Sequence, residues 1–146
     1  MLDKLVDSNI IEIADRTEYN DKYIICFYIL SNGSVPAKEF LEGLTSNKAE
    51  KQIAAKLKYY FKEYIKKGRT LRNPQHYNYF DKEGFFELKA YQGRLFCFND
   101  GELCVAVYGY RKKGQRTQSR VINRVKKYKA EYYRRKKLLK QARRGD

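Results

Sequence analysis

Cysteine is scarce and odd in number: Cys26, Cys97 and Cys104 stand far apart with no ligand spacing. Such a set excludes a closed disulfide framework and proposes no metal site, so the three read as small buried hydrophobes in a protein of the reducing cytoplasm. Long apolar runs are missing as well. The longest, Tyr23 to Leu30, is far below the roughly 20 residues of a membrane-spanning helix. The opening MLDKLVDSNIIEI has no basic segment followed by an apolar one, so neither secretion nor membrane insertion is expected. A glycine-rich phosphate loop, a nucleophile elbow and internal repeats are all absent, which leaves phosphate-loop and serine-nucleophile chemistry without a motif. Tryptophan does not occur, and histidine occurs once, as His76.

What is abundant is positive charge. The 146 residues hold 32 Lys and Arg against 17 Asp and Glu, a net of +15, and their placement says more than their number. Residues 1–110 hold 16 cations and 15 anions, whereas residues 111–146 hold 16 and 2. A cationic end on a near-neutral body suits a polyanion, because each neutralised phosphate releases condensed counterions. An acidic membrane surface offers the same charge, but this end has few Leu, Phe or Ile to bury among lipids. Nucleic acid or a ribonucleoprotein is therefore the preferred partner, and no membrane partner is expected.

With 42% hydrophobic residues, 14 Tyr and 8 Phe, the chain suits one compact domain. Tyr23 to Leu30 is β-branched and aromatic and ends at Ser31-Asn32-Gly33, which predicts a strand buried on both faces. Ser34 is a cap for a short helix with Pro36 in its first turn and Phe40, Leu41 and Leu44 as its stripe. Asn47 and Glu50 resemble a capping box, opening a longer helix on Ile53, Leu57, Tyr60, Phe61 and Tyr64 that stops at Gly68. Its lysines 51, 56, 58, 62 and 66 read as a solvated face, with phosphate contact the alternative. Residues 69–84 show no sustained period and read as a long loop, a kind more often functional or mobile than idle.

Three strand signals then follow: Phe85 to Tyr91, Arg94 to Phe98 and Glu102 to Tyr110. The separators Gln92-Gly93 and Asp100-Gly101 are hairpin pairs, so this is an antiparallel meander. Two-residue turns place Tyr91 opposite Arg94, Lys89 opposite Phe96, Arg94 opposite Val107 and Phe96 opposite Val105. One face then carries Glu87, Lys89, Tyr91, Arg94, Phe96, Phe98, Leu103, Val105 and Val107, continuing to Arg111. The other carries Phe86, Leu88, Ala90, Leu95, Cys97, Cys104, Ala106 and Tyr108 and is apolar enough to receive both helices. Thr117 is a cap for a last helix on Val121, Val125, Tyr128 and Tyr132, expected to project and fray beyond Tyr133.

Tyr108 to Thr117 places Arg111, Lys112, Lys113 and Arg116 between a strand end and a helix start, where sites are often built, although a solvated basic turn has the same composition. His76 is a general-base candidate because histidine is the residue type whose unperturbed pKa lies near neutrality, yet a lone loop histidine is more often incidental. Glu87 beside Lys89 is a base or only a salt-bridge partner, the second reading being preferred.

The order of elements, together with Phe40-Leu41-x-x-Leu44, Phe86-Glu87-Leu88-Lys89, Gly93-Arg94-Leu95-Phe96 and Gly109-Tyr110-Arg111-Lys112-Lys113-x-Gln115-x-Thr117, resembles the RelE/HigB family of bacterial toxins, especially its phage-derived HigB-like branch. The resemblance spans about residues 23–133. It leaves 1–22 as an N-terminal extension and 134–146 as a basic C-terminal tail. It implies a small α+β fold: an antiparallel sheet of one N-terminal strand plus the meander, two helices on one face and a basic C-terminal helix. It further implies a cofactor-free, metal-independent endoribonuclease of a type II toxin–antitoxin system that cuts messenger RNA on the ribosome. A cognate antitoxin, expected to be a helix-turn-helix protein, would neutralise it. The positions matching the family's basic cluster are Lys89, Arg94, Arg111, Lys112 and Lys113. Lys89 stands where arginine is common, and the N-terminal stretch and longer basic helix are departures.

RNA supplies its own nucleophile in the 2′-hydroxyl, so a protein needs a base, cations for the phosphorane and an acid for the leaving oxygen. Clustered cations depress one another's pKa, which makes Lys89 or Lys112 a candidate base beside Arg94 and Arg111, with Tyr91 or Tyr110 stacking on a nucleobase. Arg134, Arg135, Lys136 and Lys137 open an eleven-residue stretch, 134–144, with seven cations and no acid, suited to ribosomal RNA backbone. A non-catalytic RNA- or ribosome-binding module is the competing expectation.

Overall fold

The computed structural model describes residues 1–15, 24–67, 74–114 and 117–144. Its elements run α1 (Leu2–Asp7), β1 (Ile11–Asp15), β2 (Ile24–Tyr28), α2 (Pro36–Gly43), α3 (Lys48–Lys67), β3 (Tyr77–Phe80), β4 (Phe85–Ala90), β5 (Gly93–Asp100), β6 (Leu103–Arg111) and α4 (Ser119–Arg144). The expected Tyr23 strand start and Gly68 helix stop lie outside the described residues. The fold is α+β, a six-stranded sheet in the order β1-β2-β6-β5-β4-β3.

The sheet is mixed, which corrects the expected antiparallel arrangement. β2 lies parallel to β6, with Cys26 beside Val105, while the other neighbours are antiparallel. Parallel placement follows from chain path: β2 continues into α2 and α3, which cover one face before the meander returns beside it. Its apolar run fits burial on both faces, as in a parallel interior strand. Two further strands widen the sheet. β1 pairs with β2, and β3, inside the stretch that reads as a loop, pairs with β4. Four residues at an edge are too few to show a period, and β3 is held by ring contacts, Phe80 to Phe85 at 5.2 Å and Tyr77 to Phe86 at 5.0 Å.

Helices cover both faces. α2 and α3 bring Leu41, Ile53, Leu57 and Phe61 onto Phe86, Leu88, Leu95 and Cys97, and α1 and α4 bring Leu5, Val121, Val125 and Tyr132 onto Phe85, Phe96, Phe98 and Val105. The helix starts follow capping chemistry. Asn47 Oδ1 accepts from Glu50 N at 2.9 Å while Glu50 Oε1 accepts from Ser46 N at 3.0 Å, a reciprocal box displaced by one residue. At α2 the expected Ser34 cap is reversed: Glu39 reaches back to accept from the Ser34 hydroxyl and the Val35 amide. α4 starts at Ser119, with Gln118 O accepting the first helical bonds, one residue beyond the start that a Thr117 cap predicts.

Both hairpins slip from the predicted register by two positions. Lys89 faces Arg94 and Glu87 faces Phe96; Phe98 faces Val105 and Asn99 faces Cys104. A slip of two changes partners and preserves faces, so the division of β4, β5 and the first half of β6 stands as expected, except at Tyr91, which the slip moves out of the strand into the turn and from the Lys89 face to the α3 side. The second half of β6 does not. Phe96 pairs with Tyr108 and Cys97 with Ala106, leaving Val107 as an extra residue. This bulge reverses the alternation beyond it: Tyr108 and Tyr110 join the α4 side, and Gly109 turns toward Phe40 of α2.

The ends belong to the fold. Leu5, Ile10 and Ile11 are buried in the α4-side core, so residues 1–15 are woven in rather than appended. α4 stays packed beyond Tyr133, through Arg135, Lys136 and Leu139. Among the described residues, no helix is long and apolar enough to cross a membrane.

Candidate active site

α4 covers most of one sheet face, and the part it leaves next to the β4–β5 hairpin gathers the polar groups. Glu87 and Lys89 of β4, Arg94 of β5, Tyr110 of β6 and Lys112 just beyond it share this region. The period of β4 puts Glu87 and Lys89 on the same side, cross-strand pairing sets Arg94 opposite Lys89, and the bulge brings Tyr110 opposite Arg94.

Glu87 is the centre of the cluster. It is a charged side chain with only 3% of its surface exposed, and its Oε2 has no hydrogen-bond partner. Burial raises its pKa, opposed first by Arg94, then by Lys112, by a hydrogen bond from Asn78 on β3, and by Lys89. A carboxyl among three cations keeps a raised proton affinity because its desolvation outweighs their attraction. Tyr110 stacks on Phe96 at 6.1 Å. Burial raises its hydroxyl, countered by Thr117 and pushed further by Glu87.

Arg94 is partly committed. Its Nη1 donates to Tyr91 O at 2.7 Å and to Gly93 O at 2.8 Å, tying the guanidinium to the turn. Tyr91 occupies the hairpin tip at φ 56°, a left-handed conformation unusual for a large side chain, and is 61% exposed.

Several expected site residues stand elsewhere. Arg111 lies on the α3 side, where its Nη1 meets Glu50 Oε2 at 3.2 Å; the bulge turned it away from Lys89 and Arg94 and put Lys112 in its place. His76 stacks on Tyr60 of α3 at 4.4 Å, on the far face of the sheet from Glu87, although its carbonyl accepts from Lys89 N at 2.8 Å. Lys113 is exposed beside the turn, and Arg116 lies outside the described residues.

Compared with models of protein families the chain matches none, and no curated protein matches it. Its chemistry rests on these side chains.

The four cations expected to follow RNA divide into two kinds. Arg134 and Lys137 are exposed on α4. Arg135 instead lies over the Tyr28 ring at 5.5 Å and donates to Tyr28 Oη and to the carbonyls of Ile29 and Asn9. Lys136 meets Asp100 Oδ2 at 2.6 Å, an oxygen that also accepts from Tyr132 Oη at 2.6 Å. These two cations lock α4 onto the body. One site residue is hidden in the sequence and one is ranked too low. Asn78 falls in the apparent loop, and for Glu87 the ion-pair reading outranks the base because the burial of a single carboxylate is not visible in a period-two pattern. The apolar neighbours in Phe85-Phe86-Glu87-Leu88 are the signal of that burial.

Proposed function

We propose that the protein is an endoribonuclease that uses the RNA 2′-hydroxyl as nucleophile, with Glu87 as the base that takes its proton. The observation that carries this reading is the buried Glu87 carboxyl, one oxygen unpartnered, with Arg94, Lys112 and Lys89 acting on it. A raised proton affinity suits a base working near neutrality, and cations on the same face suit the extra charge of a phosphorane. Tyr110 or Lys112 protonates the leaving 5′-oxygen. The exposed cations of α4, among them Arg120, Arg124, Lys127, Arg134, Lys137 and Lys140, line a helix roughly 40 Å long and supply phosphate contacts without reading bases.

Within this reading the RelE/HigB resemblance gives the setting: messenger RNA on the ribosome in the bacterial cytoplasm, with a helix-turn-helix antitoxin as the inhibitor. The competing reading, a non-catalytic RNA-binding module, draws on Arg94 Nη1, which the turn carbonyls already occupy.

Induced expression in a bacterium separates the two. Growth arrest and new transcript ends in wild type, lost in Glu87→Gln and in Lys89→Ala/Arg94→Ala at equal protein level, are expected. Intact transcripts in wild type would remove the nuclease.

A further inference from the structure

On the α3 side of the same hairpin lies a cleft of about 490 Å³ lined by Gln52, Ala55, Lys56 and Tyr59 of α3 and by Tyr91. The helical residues recur at i, i+3, i+4 and i+7, one stripe facing the turn. Both tyrosines are among the most exposed large side chains, Tyr59 at 55% and Tyr91 at 61%. Each is nonetheless placed: Tyr59 packs its ring edge-on to Tyr60 at 5.8 Å, and the Tyr91 backbone is pinned by Arg94 Nη1. A large aromatic at φ 56° costs backbone energy that glycine would avoid. The turn thus carries a ring in a conformation that disfavours it, and holds that ring beside a second one.

We propose that this cleft binds a nucleobase of single-stranded RNA, stacked on Tyr59 and Tyr91, with Lys56 on the adjoining phosphate. The proposal extends the nuclease reading by giving its substrate a second subsite around the hairpin tip from Glu87. The lining chemistry favours this occupant: two π-faces, one cation, one amide and no carboxylate. Ala55, the smallest of the five, leaves room between the rings. Base stacking on aromatic side chains tolerates any base, while a lysine tracks the backbone. Gln52 is the group able to hydrogen-bond a base edge and so to bias which base is held.

The test uses a fluorescent six-nucleotide 2′-O-methyl RNA, which cannot be cut by 2′-hydroxyl attack. Its binding to the full-length protein is followed by anisotropy at raised salt, where the phosphate contribution of α4 is screened. Tyr59→Ala and Tyr91→Gly are expected to weaken binding by roughly tenfold each, the loss of a stacked base, while Tyr59→Phe retains it. Tyr91→Gly also removes the strain, so its melting temperature should equal or exceed that of wild type, which separates loss of binding from loss of fold. No binding by wild type, or wild-type affinity in both variants, overturns the cleft. So does occupation by a protein segment that RNA fails to displace. Transcript cutting in cells is scored separately. Cutting by wild type with normal probe binding in both tyrosine variants removes the cleft and leaves the nuclease. Tyrosine-dependent probe binding with intact transcripts removes the nuclease and leaves the cleft.

Discussion

Glu87 and its neighbours show how one buried carboxyl ties stability to chemistry. Because burial raises its folded pKa, Glu87 favours the fold fully below its unfolded pKa. That contribution is lost as pH rises through the folded value. Glu87→Gln should therefore melt higher than wild type at neutral and alkaline pH and match it in acid, as thermal denaturation across pH will show. Equal shifts at every pH would contradict the burial argument. A base must be ionised, so cleavage should fall off on the acid side at a pH above the ordinary glutamate range. Gly93 illustrates the opposite kind of residue, valued for what it lacks. A Cβ there would stand 2.3 Å from Ile53 Cγ2 and 3.0 Å from Leu57 Cδ1, and both side chains are buried. Gly93→Ala should cost about 2 kcal/mol by overpacking, read from denaturant unfolding, and should loosen α3 against the hairpin that carries both proposed sites.

α4 combines two tasks along a single helix. One side is sewn to the body by Tyr132, Arg135, Lys136 and Leu139, and the other presents cations to solvent. Lys129 adds a stitch, donating to the carbonyls of Glu83 and Gly84 at 3.0 and 3.1 Å. Substitutions on the two sides should separate cleanly. Lys136→Ala breaks a bridge in which Lys136 and Asp100 are only 17% and 15% exposed and should lower stability by about 1–2 kcal/mol. Arg134→Glu/Lys137→Glu should leave the unfolding midpoint within about 0.5 kcal/mol of wild type, while weakening ribosome association and flattening its salt dependence. Ribosome co-sedimentation at several salt concentrations reads this, and a fold destabilised by the outer pair would overturn the division. Deleting residues 134–146 outright would mix both effects, since Arg135, Lys136 and Leu139 leave together with the outer cations.

At the scale of the whole molecule, a sheet covered on both faces makes the N-terminal segment part of the core. Leu5→Ala should cost about 2–4 kcal/mol, the range for a fully buried leucine, measured by chemical denaturation; a negligible cost would return residues 1–15 to the status of an appendage. Local pattern alone determined much of this molecule. Period-two alternation in β4 and β5 set which side chains share a face, the Asn47 and Glu50 spacing set the start of α3, and the Val121, Val125 and Tyr132 stripe set the inward side of α4. These survive because each depends on near neighbours, and because a slip of two in a hairpin leaves the faces unchanged. Only the tertiary structure decided the rest. One extra residue at Val107 sent Arg111 to Glu50 and brought Tyr110 and Lys112 to Glu87. The docking of α4 converted Arg135 and Lys136 from RNA ligands in prospect to internal ties. Bulges, parallel pairing and edge strands such as β3 are settled by which surfaces meet across the sheet, a competition between distant segments that no local period records.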